Sequence, residues 1–542
     1  MNLNKIENKK ILLIVPHQDD EINIAGGVLY TFSKNNSIKV VYVTNGDYIY
    51  ESKIRYKEAI SALKKLNINK KDIIFLGYCD QPYDSETHMY NSSADWVSLH
   101  KVTSGIKKIK EWSYGTYNIH QELNKDNLIK DIRDIIVRYC PDMIFSVDLD
   151  FHPDHIMTSL CFEKAMGQVL NECQGKYQPI VLKTFAYENS YLGEKDFCNI
   201  NDYPMKFDFK NNLVKNNPYY LRNEKINLCI DKKCYSKNLL INPVWKAIKC
   251  HKSQILVSHA EQIINSNYSY WNRVTNNLIY NAKITVSSGN HQYLHDFLLC
   301  DTDNVLNGNE KEIVYNKAIW IPDNDDEQKE ILIEFNNYVF IDFIKLYNGR
   351  INNNFIKKIA IYINNRYERT YELNEKNLIQ KIYIQKRVKN IKIKILDKII
   401  YNGFSEIELL SKEECFINNK VNIQNTWSDV FYTVSKEKTE YQLSNIEDKI
   451  EVDIDNLKRG KFKNGKIILS NKSSGYINFK TKDGKDTIFI NKSRIFRVIS
   501  TILNKNIIKI CIICNKIYRK FIIDIKYKKS NKIFEGKINN KL

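Results

Sequence analysis

Residues 10–15, Lys-Ile-Leu-Leu-Ile-Val, form an unbroken apolar run of the kind seen in strands buried on both faces. The chain then turns polar through Pro16-His17-Gln18-Asp19-Asp20-Glu21. It resumes with Ile22, Ile24, Ala25, Val28, Leu29 and Phe32 at helical spacing. This predicts a strand, a polar turn and a helix, with the turn at the strand's C-terminal end, where open α/β sheets bind ligands. Apolar strands and helical patterns alternate over 1–160, the mark of βαβ units and a parallel sheet. From about 277 the texture changes to short alternating strands between Asn, Gly and Asp turns, among them 331–335, 339–347, 359–363, 391–395 and 406–410. That pattern predicts a β-sandwich. Strand patterns recur over 412–490, and from 491 Lys and Arg interrupt apolar clusters. The expected fold is multidomain. An α/β Rossmann-like domain with a parallel sheet covers 1–275 and a β-sandwich jelly roll covers 277–411. A small β-rich domain covers 412–490, and a basic apolar tail, a candidate helix, covers 491–542.

At 542 residues the chain is too long for one core. Its net charge of +19 is concentrated at the end: residues 451–542 hold 23 Lys/Arg against 7 Asp/Glu. The charge therefore belongs to the tail and says little about chemistry elsewhere. Two readings of the tail follow, a basic amphipathic helix on a membrane surface or a segment folded back onto the β-domain. No apolar run reaches the length of a membrane span. Cleaving the N-terminus as a signal peptide would remove the first strand, so a cytoplasmic location is expected, with the tail a candidate for peripheral membrane contact. The twelve cysteines are scattered, as for reduced thiols. Cys511-Ile-Ile-Cys514 has no second pair or nearby His to make a metal site. No nucleic-acid recognition motif accompanies the basic charge, and nucleic acid is not expected as a partner.

The chemistry-bearing residues fall in two places. His17 and Asp20 are three apart, so one turn at a helix start can aim both at one ion. His152-Pro153-Asp154-His155 supplies His155 as a third ligand, with His152 three residues before it. A His/carboxylate set suits zinc or another divalent transition metal better than calcium. A bound water would be acidified, and Asp19, beside the ligands, could take its proton. Together these are the parts of an amide or ester hydrolase.

These motifs resemble those of the PIG-L/LmbE-like zinc deacetylases of N-acetylglucosaminyl conjugates. That family carries Pro/Ala-His-Pro-Asp-Asp-Glu and His-x-x-His where this chain has 16–21 and 152–155. The resemblance implies one zinc per chain on His17, Asp20 and His155. It implies Asp19 as general base and His152 as the group supporting the oxyanion. Gln18 departs from the usual Pro, which implies altered loop stiffness. Val40 to Asp47 looks like the second strand and its loop, Arg55 and Glu58 like an Arg-x-x-Glu, and Leu76 to Asp80 like a Leu-Gly-x-x-Asp strand end. Arg55 and Asp80 are therefore the expected substrate contacts. Trp245 to Gln254 resembles a late helix, with His251 expected to be exposed on it. The loop 81–120, rich in Tyr, Trp, Ser and Asn, is expected near the metal. The match spans about 8–275.

Residues 277–411 resemble the discoidin or coagulation-factor type C domains of galactose-binding-like fold. The match is carried by Asn277-Leu278, Ala282 to Ser288, Asn304 to Gly308, Trp320, Ile344 to Tyr347 and Ser405 to Leu409. It implies glycan binding, for which His291, Tyr293 and His295 in the first loop are candidates. The resulting expectation is a zinc-dependent hydrolase that removes acetyl from an N-acetylated amino sugar of GlcNAc type. Two alternatives stand beside it: a glycan-binding or assembly protein on a degenerate hydrolase scaffold, and a deacylase of another acylated amine.

Overall fold

The computed structural model describes residues 6–81, 88–91, 110–191, 197–198, 225–302, 318–349, 355–374, 379–397, 402–411, 424–425, 430–434, 439–443, 451–464, 466–481, 484–491 and 494–539. The Asn304 to Gly308 turn and most of the 81–120 loop lie outside these residues.

The first sheet is built from β1 (Lys10–Val15), β2 (Ser37–Thr44), β3 (Ile73–Tyr78), β4 (Met143–Val147), β5 (Ile180–Thr184), β6 (Lys225–Cys229) and β7 (Asn267–Arg273). Its order is Gln424–Asn425, β6, β7, β5, β4, β1, β2, β3. The five strands from β3 to β5 are parallel. The other edge is antiparallel, so the sheet is mixed rather than wholly parallel. β1 feeds β2 on one side and lies beside β4 on the other. The connections thus diverge at its C-terminal end, the switch point where α/β sheets open a crevice.

Alternate side chains of β1 enter two cores, as strand geometry requires. Ile11, Leu13 and Val15 pack with the helices Asp20–Phe32 and Ser52–Lys65 and with Trp245. Leu12 and Ile14 pack with the helices Lys125–Tyr139 and Pro153–Glu172. The second core runs on without a break into the next unit, through Trp320, Ile331, Ile333 and Ile391.

That unit is a six-stranded antiparallel sheet of Ala282–Val286, Glu330–Asn348, Lys358–Ile363, Arg366–Glu372, Ile379–Ile395 and Phe404–Leu410. The two long strands slip register between Tyr383 and Lys386 and again between Val388 and Asn390, the irregularities that let a sheet bend. The helix Pro153–Glu172 holds this unit by charge. Glu163 pairs with Arg273, whose Nη2 donates to the Phe297 carbonyl at 2.7 Å, and Lys164 meets Asp301 at 2.6 Å. His295 does not stand free for a ligand, because its Nδ1 lies 2.7 Å from Asn171 Oδ1 on that helix.

A third, antiparallel sheet contains Leu457–Lys463, Lys466–Thr481 and Gly484–Asn491. Its Leu457, Ile467 and Ile477 enter the first core. The tail is a helix, Arg494–Asn539, and its Ile508 enters the same core. Thr501 Oγ1 donates to the Cys198 carbonyl at 2.7 Å and Asn504 Nδ2 to the Lys237 carbonyl at 3.0 Å. The tail thus rests on the α/β unit, a docking neither reading of its sequence anticipated.

Gly167 marks the closest approach of helix and sandwich. A Cβ there would sit 2.0 Å from the Asp296 carbonyl oxygen, which is backbone and cannot swing aside. Alanine is the better helix former, yet Gly167→Ala is expected to destabilise the protein by about 1–3 kcal/mol through overpacking. An unfolding midpoint that stays or rises in urea would contradict this contact.

Candidate metal centre

Both motifs sit at the switch point. His17 and Asp19 follow β1, and Asp20 opens the next helix, where its charge faces the helix N-terminus. Asp148, Asp150 and His152 follow β4. His152 is the N-cap of Pro153–Glu172, its Nδ1 accepting the Asp154 N–H at 3.2 Å, and Pro153 occupies the first helical position. The cap fixes the ring and leaves Nε2 of neutral His152 to carry the proton.

His17 Nδ1, His155 Nε2 and Asp20 Oδ2 lie 3.2 Å from one another, pairwise. Each imidazole is tied from behind. His155 Nδ1 faces Asp150 Oδ2 at 2.7 Å, and His17 Nε2 faces Asp154 Oδ2 at 3.0 Å and Asp80 Oδ1 at 3.3 Å. Those carboxylates assign the ring protons to the outer nitrogens. With the inner nitrogens deprotonated, as metal binding requires, three lone pairs converge on one point. Ligands at about 2.0–2.1 Å on a tetrahedral ion stand roughly 3.3 Å apart, so the triangle fits a divalent cation. His152 also offers a nitrogen within 4.8 Å of those of His17 and His155.

The electrostatics agree with a cation there. Burial works to lower the His155 pKa, but Asp150 and Asp20 outweigh it and push it up to about 10. His17 is likewise raised, its burial overcome chiefly by Asp80, Asp154 and Asp20. Asp20 is held low despite burial, by His155 and His17. His152 is pushed well below its ordinary value by burial and by His17 and His155, so it is neutral. Asp19 is raised to about 6, by burial and Asp20 against the pull of Arg55.

Asp19 is beside the triangle and outside it. Its Oδ1 lies 3.3 Å from Arg55 Nη2, and the Tyr191 hydroxyl reaches its Oδ2 at 3.4 Å. Arg55 also donates to the Gln18 carbonyl at 2.9 Å. Arg55 and Asp80 are thus brought to the site, one against Asp19 and one against His17. Gln18 points away from it, its Nε2 donating to the Thr44 carbonyl at 2.7 Å. The expectation for His251 was wrong: the helix ends at Ile248, and His251 is fully buried with Nε2 2.7 Å from Glu21 Oε1. Ser253, two residues on, donates from its N–H and its hydroxyl to Glu58.

Sequence reasoning missed several residues. Asp150 and Asp154 orient the two imidazoles, and only their closeness to the second motif could have marked them. His88 is fully buried, 2.9 Å from Asp154 Oδ1, and extends the chain His17–Asp154–His88. No periodicity surrounds His88 in the sequence. Tyr187 packs on His152, His155, Phe151 and Tyr191, while Tyr191 lies against His259, making an aromatic wall over the site.

A family model described as PIG-L, GlcNAc-PI de-N-acetylase, matches residues 12–166, the stretch that contains both motifs. No curated protein matches the chain. Among solved structures, the N,N'-diacetylchitobiose deacetylase of Pyrococcus horikoshii is similar at 16% identity, covering 49% of this chain and 84% of its own, with a TM-score of 0.28. The family 32 CBM of NanJ from C. perfringens, solved in complex with galactose, is similar at 15% identity, covering 24% of this chain and 94% of its own, with a TM-score of 0.19.

The buried His251–Glu21 pair supports the helix that carries Asp20. Burial opposes charge on His251, but Glu21 outweighs it and raises the pKa, which favours the charged imidazole. His251→Ala strands the Glu21 carboxylate and is expected to cost about 3–5 kcal/mol, read as a drop in the denaturant midpoint. A loss within experimental scatter would mean that the pair is not ionic.

Proposed function

We propose that the N-terminal α/β unit is a zinc-dependent N-deacetylase acting on an N-acetylated amino sugar of GlcNAc type. The observation that carries this reading is the triangle of converging lone pairs with a carboxylate of raised pKa next to it, all within the segment matched by the family model. His17, Asp20 and His155 would hold the metal, leaving one position free. Bound there, zinc supplies a Lewis acid for the acyl oxygen and lowers the pKa of water toward ~7. Mn²⁺ or Fe²⁺ would suit the same donors less selectively.

Asp19 accepts the proton of the attacking water and returns it to the departing amine nitrogen. Arg55 holds the Asp19 carboxylate in place through Nη2. As water adds to the acyl carbon, charge builds on the acyl oxygen and neutral His152 donates to it from Nε2–H; that charge is lost again as the carbonyl re-forms and the C–N bond breaks. Asp150 and Asp154 keep His155 and His17 in the tautomers that present lone pairs inward. For the sugar itself we propose Arg55 and the partly open side of Asp80, which is within reach of hydroxyls at the crevice mouth. The aromatic wall of Tyr187 and Tyr191 would exclude water from the acyl group.

Metal content, base variants and the pH profile test this. Metal analysis of the purified chain should find about one zinc per molecule. Asp20→Asn should lose it, and Asp154→Asn should weaken its binding by about 10–100-fold in a chelator competition. Asp19→Asn should retain the metal while acetate release from N-acetylglucosamine conjugates falls by about 10²–10⁴-fold. Full activity in that variant would remove Asp19 from the chemistry. The base must be deprotonated to act, so kcat/KM should rise with pH through a limb at or below about 6, since a bound cation only pulls the Asp19 pKa down. Arg55→Gln removes a positive neighbour and should move that limb upward. An unmoved limb would assign it to another group.

A further inference from the structure

The C-terminal helix carries apolar side chains on its open side as well as on its docked side. Its inward side carries Ile508 in the core, with Ile507, Cys511 and Ile512 packed against it, and the buried amides Asn504 and Asn515. Its outward side carries Ile499, Ile502, Leu503, Ile510, Ile513, Ile517 and Phe521, each between 55% and 66% exposed. These seven recur at the three- and four-residue steps that keep one face of a helix. They make an apolar stripe about six turns long, interrupted once by exposed Asn506. Lys505, Lys509, Lys516 and Lys520 run along one flank of it. Burying apolar side chains is the usual reason a helix docks at all. Here a second apolar face, from Ile499 to Phe521, has been left outward.

We propose that this face is a docking surface for an anionic lipid bilayer, on which the helix lies flat. The argument for this occupant is charge. The helix Arg494–Asn539 has twelve Lys/Arg and only two Asp/Glu. A second copy of the same helix would bring the same positive charge to the interface and be repelled. An anionic lipid headgroup layer accepts the lysine flank while the acyl boundary takes Ile510, Ile513, Ile517 and Phe521. Among the described residues no helix is long and apolar enough to cross a membrane, so the contact is with the surface. Docking of the inward side on the α/β unit, through Cys198, Lys237 and the ring of Tyr518 under Lys252 Nζ at 5.5 Å, holds the stripe pointing away from the protein.

The test is co-sedimentation of the full chain with phosphatidylcholine vesicles, with and without phosphatidylglycerol. Partitioning is expected to be about tenfold or more stronger on the anionic vesicles and to fall as salt is raised. The triple variant Ile510→Ser, Ile513→Ser, Ile517→Ser should lose binding while keeping its circular dichroism and thermal unfolding, because all three side chains point outward. Lys505→Gln, Lys509→Gln and Lys516→Gln together should weaken binding to anionic vesicles. No vesicle binding, binding indifferent to anionic lipid, or binding untouched by the serine variant would each overturn the proposal. So would a concentration-dependent dimer in sedimentation equilibrium that the serine variant abolishes, since the stripe would then be covered by a second copy. None of these readouts depends on deacetylase activity.

Discussion

The arrangement at the end of β1 rests on one electrostatic constraint: two imidazoles must present lone pairs to a shared point that a carboxylate also faces. In the absence of positive charge this arrangement repels itself. It is held because each imidazole is gripped from behind, His155 by Asp150 and His17 by Asp154 and Asp80. The outer carboxylates fix which nitrogen carries the proton and raise the affinity of the centre for positive charge. The turn after β1, the turn after β4 and the start of two helices all take their positions from this requirement.

So many acids on one sheet edge need compensation elsewhere, and the fold supplies it within the core. Lys183 of β5 is buried and reaches Asp148 at 2.8 Å, Ser159 at 2.8 Å and Glu163. Glu163 is shared with Arg273, which binds the sandwich. A line of buried charge thus runs from the metal centre through the helix Pro153–Glu172 to the second unit. Buried networks of this kind are costly when broken and add little when whole, so their clearest effect here is to fix how the sandwich sits on the helix.

Much of this was legible in the chain. The apolar run 10–15, the polar turn after it and the spacing of His17, Asp20 and His155 pointed to a strand-end metal site, because periodicity and ligand chemistry are both local signals. The alternating strands after 277 announced antiparallel β-structure for the same reason. Other features were not local. Antiparallel pairing at β7 and β6 depends on which edge of the sheet is left open. His251 looked like a surface helix residue because nothing nearby shows that Glu21, 230 positions earlier, waits for it. His88 lies in a stretch without pattern, and its partner Asp154 is 66 residues away. Helical periodicity in the tail was visible, but not that the helix would dock on the α/β unit with a second apolar face left open.

The short strand Gln424–Asn425 pairs with β6 from beyond the sandwich. The first sheet therefore does not close until the chain has passed through an entire further unit, and its first core gains Leu457, Ile477 and Ile508 later still. During synthesis the α/β unit would wait for most of the polypeptide with an unpaired strand edge and uncovered apolar surface, a state open to wrong pairing. Contacts of such long sequence separation slow folding. The assembly matures as one object, and a gene fragment ending after β7 would encode a sheet with a raw edge.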